Sequence, residues 1–388
     1  MDFVLSDDQL AIDESVRKIC AQFDDGYWTD CEENARFPQE YYRSMADSGW
    51  LGITMPEELG GAGLGVTEAA IMMHAVTSSG GGYSAASAIH INLFGPHSIV
   101  VHGTPEQKHR WLVPLIKGEQ KACFGVTEPD AGLDTTSIKT FATRTAGGYK
   151  VSGRKIWTST AQVADKILLL TRTTPKSECK RPGEGMTLFY TDLDRAKIEV
   201  RRIHKMGRNA VDSNAVFIDN IFIPEEDRVG EEGRGFEYIF HSLNPERVLV
   251  ATEAIGVGRD ALQRAARYAK ERVVFGRPIG KNQGIQHPLA ECWAYLESAY
   301  WMCLRAGWLY DQGLSCAVEA NSAKLLAGRA AFQSCTRAVL THGGMGYARE
   351  YQVERLFRES ILTRIAPVSE ELILSFLAEK ALGLPKSY

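Results

Sequence analysis

Residues 149–157 read Y-K-V-S-G-R-K-I-W, an alternation of apolar and polar side chains that is typical of a β-strand. Similar short runs follow, separated by turn residues: K-I-L-L-L-T (166–171), M-T-L-F-Y-T (186–191), I-E-V-R-R-I (198–203) and A-V-F-I-D-N-I-F-I (215–223). Residues 174–185 are polar and contain two prolines, so we predict an exposed loop between two of these strands. The pattern therefore predicts a compact β domain over residues 121–232.

Helical periodicity occupies both sides of this β region. In the first 120 residues, Ser6 and Gln9 predict a capping box that opens a helix. After Gly235 the helical period returns and continues to the end of the chain, with an apolar stripe on one face of a long helix. The stripe consists of Leu289, Trp293, Leu296, Tyr300, Cys303 and Gly307. We therefore expect an α+β multidomain chain with an N-terminal helical domain (1–120), a middle β domain (121–232) and a C-terminal helical bundle (233–388).

Composition limits the classes of function. The 388 residues exceed the usual size of one hydrophobic core, and the formal net charge of −4 without a basic stripe argues against a nucleic-acid partner. The eight cysteines are scattered, which indicates reduced thiols, and the nine histidines lack metal-ligand spacing. The N-terminus is acidic, and no apolar run approaches about 20 residues. We expect a cytoplasmic protein with no metal and no membrane insertion.

The junction before the β domain carries residues suited to a flat ligand. Residues 124–134 read F-G-V-T-E-P-D-A-G-L-D, and residues 155–160 read K-I-W-T-S-T. Glycine and proline bends beside Thr127, Trp157 and Thr158 offer backbone amides, hydroxyls and an aromatic face. These groups favour a heteroaromatic ligand.

Seven motifs together resemble the acyl-CoA dehydrogenase family along nearly the whole chain. They are G-I-T-M-P-E-E-L-G-G-A-G (52–63), F-G-V-T-E-P-D-A-G (124–132), V-S-G-R-K-I-W-T-S (151–159), K-M-G-R (205–208), G-E-E-G-R-G-F (230–236), A-K-E-R-V-V-F-G-R-P-I (269–279) and T-H-G-G-M-G-Y-A-R-E-Y-Q-V-E-R (341–355). Several independent motifs in order are far more specific than a single glycine loop. The resemblance implies a helical domain, a small β-barrel domain and a four-helix domain that together bind FAD.

The resemblance also implies two groups of cofactor residues. The isoalloxazine ring would be surrounded by Phe124, Val126, Thr127, Trp157, Thr158 and Ser159, where Ser159 matches a threonine near flavin N5. The ADP half of a FAD bound to a neighbouring subunit would be met by Arg272, Phe275, Gly343, Gly344 and Gly346. Gln283 and Ser369 are further expected cofactor residues. This sharing of FAD between subunits goes with an expected homotetramer, arranged as a dimer of dimers.

The implied reaction is α,β-dehydrogenation of an acyl-CoA thioester, in which a carboxylate removes the α proton. Many family members have a glutamate at the position that Pro367 occupies here, but some relatives carry the base on a helix directly before an arginine. Glu246 precedes Arg247 in this way, and Pro245 either begins a helix capped by Asn244 or kinks a longer one. We therefore predict Glu246 as the base, with Glu370 and Glu371 capping the last helix. The expected substrate-binding residues are Leu243, Asn244, Arg247, Leu133 and Pro367, and residues 83–90 are expected to form part of the pocket floor.

Pro367 leaves more than one function open. Proline has no N–H to donate to the thioester oxygen, and losing one such donor typically costs about 10²- to 10³-fold in rate. We favour an FAD-dependent acyl-CoA dehydrogenase that passes electrons to an electron-transfer flavoprotein. The alternatives are a related flavoprotein that catalyses elimination on a CoA ester, and a catalytically silent FAD- and CoA-binding protein.

Overall fold

The computed structural model describes residues 4–387, without the side chains of residues 240–242. Helices form the first part of the chain, because buried apolar residues recur at helical spacing and polar caps set the ends. The bounds are α1 Asp7–Cys20, α2 Asp25–Glu33, α3 Gln39–Asp47, α4 Val66–Val76, α5 Gly82–Phe94, α6 His97–His102 and α7 Pro105–Ile116. The predicted capping box of Ser6 and Gln9 is confirmed, and Thr104 and Gln107 form a second one at α7.

An eight-stranded sheet follows. Its strands are β1 Ala122–Gly125, β2 Phe141–Thr145, β3 Gly148–Ser159, β4 Lys166–Arg172, β5 Met186–Asp192, β6 Ile198–Arg202, β7 Ser213–Pro224 and β8 Arg228–Val229. The strands pair in the order β6-β7-β3-β2-β4-β5-β8, and β1 pairs with β4 in parallel. Closure of this sheet into a barrel stays a prediction. Residues 175–178 are exposed, as expected for the loop between β4 and β5.

Strand β4 lies between two hydrophobic cores. Successive side chains of a strand point to opposite faces. Leu168 and Leu170 therefore pack into the large core that the helices share, whereas Ile167 and Leu169 pack into the core of the β domain. This double burial explains why β4 reads as a nearly continuous apolar run. It also places one face of the sheet directly against the helices, where the candidate site lies.

The C-terminal part is helical, with one short hairpin. Its elements are α8 Gly235–Glu271, β9 Val273–Val274, β10 Arg277–Pro278, α9 Gln283–Asp311, α10 Ala317–His342, α11 Val353–Ser360, α12 Leu362–Ile365 and α13 Glu370–Lys380. Pro245 lies inside α8, so the alternative with a longer helix is correct and Asn244 does not cap a helix start. Within residues 4–387, no helix is both long and apolar enough to span a membrane.

The apolar stripe of α9 is only partly buried. Leu296, Tyr300, Cys303 and Gly307 lie in the interior, but Trp293 is 59 % exposed. Two other tryptophans of this helix, Trp301 and Trp308, are also exposed. The inner residues therefore serve the bundle, while the tryptophans form an aromatic surface on its outside.

Candidate active site

A bulge in β3 exposes the ring of Trp157, which the family resemblance predicts to lie against the flavin. The pairing of β3 with β7 shifts register between Lys155 and Thr158. Trp157 lies in this bulge with a φ of 60°, and the residue is 56 % exposed. The hydroxyls of Thr158 and Thr160 are buried beside it without a hydrogen-bond partner in the described part of the chain. The open aromatic face of Trp157 fits a heteroaromatic cofactor such as FAD.

A buried ion pair joins the segment after β1 to strand β3. Lys155 Nζ donates to Glu128 Oε1 at 2.9 Å and to the Val126 carbonyl at 3.0 Å. Glu128 also accepts the backbone N–H of Thr140 at 2.9 Å. The Ile156 N–H donates to the Thr127 carbonyl at 2.9 Å. These contacts bring residues 126–128 beside Trp157, as the sequence predicted for one cofactor face.

The hydroxyl of Ser159, at the end of β3, accepts a hydrogen bond from the guanidinium of Arg208. Arg208 Nη2 donates to Ser159 Oγ at 3.2 Å and to Ser213 Oγ at 3.1 Å, while Nη1 donates to Ser87 Oγ at 2.9 Å. Ser87 lies on α5, within the stretch expected to form the pocket floor. The ring of Phe124 on β1 meets that of Phe94 at the end of α5, with centroids 5.9 Å apart. Helix α5 therefore lies close to the strands that carry the predicted flavin-binding residues.

Glu246, the predicted base, is buried on α8. Burial raises the pKa of its carboxyl because the charged form loses hydration; Glu253 acts in the same direction, and the cations of His90, Arg247 and Lys324 oppose it. His90 on α5 contacts Glu253 on α8, with Nδ1 and Oε1 2.6 Å apart. Burial opposes the charged form of this imidazole, but the Glu253 carboxylate outweighs burial and raises the pKa of His90.

The sequence predicts His90 as part of the pocket floor, but it predicts neither Glu253 as a site residue nor the contact between the two. Glu253 follows Glu246 by seven residues, which is two helical turns, so the two carboxylates share one face of α8. The sequence shows this spacing, but it does not show the contact between α5 and α8 that brings His90 to Glu253.

Arg247 lies next to Glu246 with spare hydrogen-bonding capacity. Its Nη1 donates to Asn244 Oδ1 at 3.1 Å, and its buried Nε has no partner among the described residues. Burial lowers the pKa of this guanidinium. Leu243 is half-buried one turn before Arg247. An unpaired buried donor of this kind is suited to a polar or anionic part of a ligand.

Close to Pro367, the carboxylate of Glu370 is occupied by two arginines, whereas Glu371 is exposed. Glu370 forms ion pairs with Arg364 at 2.7 Å and Arg329 at 3.2 Å, and the hydrogen bond from Arg364 is the main reason that its pKa is lowered. Pro367 itself is exposed. Lys324 Nζ donates to the carbonyl of Val368. Glu370 and Glu371 were predicted to cap α13; they occupy its first turn, but the N-cap itself is Ser369.

Ser369 has a role in the fold, as the N-cap of the last helix. Its hydroxyl accepts the N–H of Leu372 and caps α13. The role predicted for Ser369 toward the cofactor is untested, but capping is sufficient to explain a serine there.

Most of the remaining predicted residues lie on open surface, and Gly346 is the buried exception. Arg272 follows α8 directly, and Phe275, at the tip of the β9–β10 hairpin, is 100 % exposed with a φ of 51°. Exposure is shared by Gln283, Gly343, Gly344 and Leu133. A Cβ at Gly343 or Gly344 would meet nothing within 4 Å, whereas one at Gly346 would lie 2.3 Å from the Val339 carbonyl oxygen. Gly346 is therefore required by packing, while the other two glycines leave room for a ligand.

Comparison with known proteins connects this arrangement to one family. Models of the acyl-CoA dehydrogenase N-terminal, middle and C-terminal domains match residues 6–119, 123–221 and 233–382. The acyl-CoA dehydrogenase FadE12 of Mycobacterium tuberculosis is 33 % identical over 392 residues, covering 100 % of this chain and 99 % of that protein.

Two solved structures share the fold. Butyryl-CoA dehydrogenase from Megasphaera elsdenii is 27 % identical with a TM-score of 0.91, over 99 % of this chain and 100 % of that chain. The FAD complex of PigA is 27 % identical with a TM-score of 0.93, over the same shares of the two chains. Within the described residues, no cluster of side chains could hold a metal ion.

Proposed function

The chain belongs to the acyl-CoA dehydrogenase family of FAD-dependent oxidoreductases, and on that basis we propose that Glu246 is the base that removes the α proton of its acyl-CoA substrate. The observation that carries this proposal is the burial of Glu246 beside Arg247, with a carboxyl pKa above the ordinary range. A catalytic base is most effective when its pKa approaches the working pH.

FAD, when bound, supplies the acceptor for the β hydrogen, which leaves as hydride. The chain supplies the proton acceptor and the surroundings of the thioester. Burial of Glu246 keeps bulk water away from its carboxylate, so the proton transfers directly from the substrate carbon to the carboxylate. The unpaired Nε of Arg247 is available to the CoA portion.

A donor for the thioester oxygen is still needed, because Pro367 has none. We propose the N–H of Val368, which has no acceptor in the described part of the chain. The adjacent Val368 carbonyl is held by Lys324, whose side chain is buried and comes from α10. This contact fixes the peptide between Val368 and Ser369, next to the peptide that carries the Val368 N–H.

We further propose a homotetramer in which each FAD is completed by a neighbouring subunit. Support comes from the exposed tryptophans of α9 and from the hairpin that carries Phe275, because large exposed aromatic side chains favour subunit contacts. The proposed electron acceptor, an electron-transfer flavoprotein, rests on the resemblance of the sequence.

An anaerobic screen tests the function. Purified protein with bound FAD is mixed with acyl-CoA thioesters of different chain length, branching and charge, and the flavin absorbance is followed. We expect bleaching with at least one thioester and transfer of electrons to an electron-transfer flavoprotein. Binding of thioesters without bleaching across the panel would contradict dehydrogenation and favour elimination or a silent binding protein.

A further inference from the structure

Arg208 is a half-buried arginine without a carboxylate partner. It ends the K-M-G-R motif and has a φ of 59°, in the left-handed region that non-glycine residues rarely adopt. Its guanidinium donates to the hydroxyls of Ser87, Ser159 and Ser213. None of the ion pairs found in residues 4–387 includes Arg208.

Other buried arginines of this chain are compensated. Arg355 pairs with Glu359 at 3.3 Å, and Arg264 pairs with both Asp25 and Asp260. Burial and a left-handed backbone are both unfavourable for an arginine. Four carboxylates favour the charged form of Arg208 from beyond ion-pair distance: Glu359, Glu253, Asp212 and Glu32. Since none of them forms an ion pair with it, the guanidinium remains available to a further anionic partner.

The contact with Ser159 indicates which partner this is. A guanidinium can only donate, so Ser159 Oγ must accept from Arg208, and the serine proton is left for another acceptor. By resemblance, Ser159 lies near flavin N5. Hydride transfer breaks the β C–H bond and brings two electrons and one hydrogen to a neutral isoalloxazine, which gains one negative charge.

We propose that Arg208 is a positioning residue that orients the Ser159 hydroxyl toward the flavin and raises the reduction potential of the bound FAD. The positive charge, one hydroxyl away from the ring, stabilises the reduced, anionic form more than the neutral oxidised form. Ser87 and Ser213 hold the guanidinium in place. This inference rests on the proposed place of Ser159 and is independent of which carboxylate acts as base.

The midpoint potential of bound FAD tests the proposal, measured by equilibration with a reference dye in the absence of acyl-CoA. Arg208→Met should make the potential more negative by about 30 mV or more, which is a tenfold weaker two-electron reduction. Arg208→Lys keeps the charge and should recover most of the shift. Arg144→Met is the matched control in the same β domain, because Glu225 and Glu232 already compensate Arg144; its potential should equal that of the parent.

Two variants keep the test decisive if Arg208→Met does not fold. Arg208→Gln retains donors for the serines but not the charge, and Ser159→Ala removes the intermediary hydroxyl; both should lower the potential. Unchanged potentials in folded, FAD-bound variants would overturn the proposal. It would also be overturned if Arg208→Gln left the potential unchanged but selectively weakened binding of glutaryl-CoA relative to butyryl-CoA, since Arg208 would then bind the acyl end of the substrate.

Discussion

At the scale of single residues, we expect the largest loss of rate from Glu246. Glu246→Gln keeps the volume of the side chain but removes its affinity for a proton, so flavin reduction should slow by at least about 10²-fold, the lower end for a positioned base. Binding of FAD and of CoA ligands should persist. Stopped-flow measurement of flavin absorbance gives the rate, with Glu371→Gln as the control that should change it little. A parent-like rate in Glu246→Gln, together with a slow Glu371→Gln, would move the base to the segment after Pro367.

The pH dependence of flavin reduction is a second test at this scale. Glu246 must be ionised to act, and burial raises its pKa, so the rate should fall on the acid side at a higher pH than for an ordinary carboxyl. The cation of His90 favours the ionised form. His90→Gln removes that cation and leaves the repulsion from Glu253, so the acid limb should move to still higher pH, while Arg247 and Lys324 continue to oppose the shift. An acid limb that stays in place or moves to lower pH would show that His90 does not act on the base.

The residues that could be predicted from the sequence are those whose role follows from one motif. Glu246 before Arg247 and Trp157 beside Thr158 are examples, although their roles toward substrate and cofactor stay predictions. The contact of His90 with Glu253 could not be predicted, because the two residues are 163 positions apart in the chain. The partners of Arg208 also depend on three separate elements, and its left-handed backbone has no signal in the sequence.

At the scale of elements, the ion pair of Lys155 and Glu128 stabilises the bulged end of β3. Both side chains are buried. Lys155→Met would leave the Glu128 carboxylate without its cation, which typically costs about 3–5 kcal/mol of unfolding free energy. We expect thermal unfolding at a clearly lower temperature, and partial recovery in the double variant Lys155→Met/Glu128→Gln. If the single variant were as stable as the parent, the ion pair would have no structural role.

Element boundaries followed the sequence where local chemistry determines them. The capping box of Ser6 and Gln9 begins α1 as predicted, because its hydrogen bonds involve only neighbouring residues. Pro245 allowed two alternatives, since a proline fits both the first turn of a helix and a kink. Only packing of α8 against the other helices decides that the helix begins ten residues earlier, at Gly235. Tertiary contacts therefore determine what local preference leaves open.

At the scale of the whole molecule, we expect FAD binding to depend on subunit assembly, because Phe275 and its hairpin after α8 are exposed. Arg272→Ala should lower FAD retention, because the pyrophosphate of the neighbour's FAD loses a charge-assisted partner. The ratio of flavin to protein after gel filtration measures this. Arg181→Ala is a suitable control, since Arg181 is also exposed but pairs with Glu184 in the loop after β4. A monomer at micromolar concentration in sedimentation, with FAD still bound, would contradict the shared cofactor.

The 37-residue length of α8 has a mechanical consequence. Glu246 lies on this helix, and Arg272 directly follows its last residue, 26 residues later or about 40 Å along the axis. In the proposed tetramer, Glu246 faces the thioester of its own subunit, and Arg272 faces the cofactor of the neighbouring subunit. A small tilt of α8 about its middle, which is packed in the bundle, would displace Glu246 and Arg272 at once in opposite directions. Neighbouring catalytic centres would then be mechanically coupled through α8.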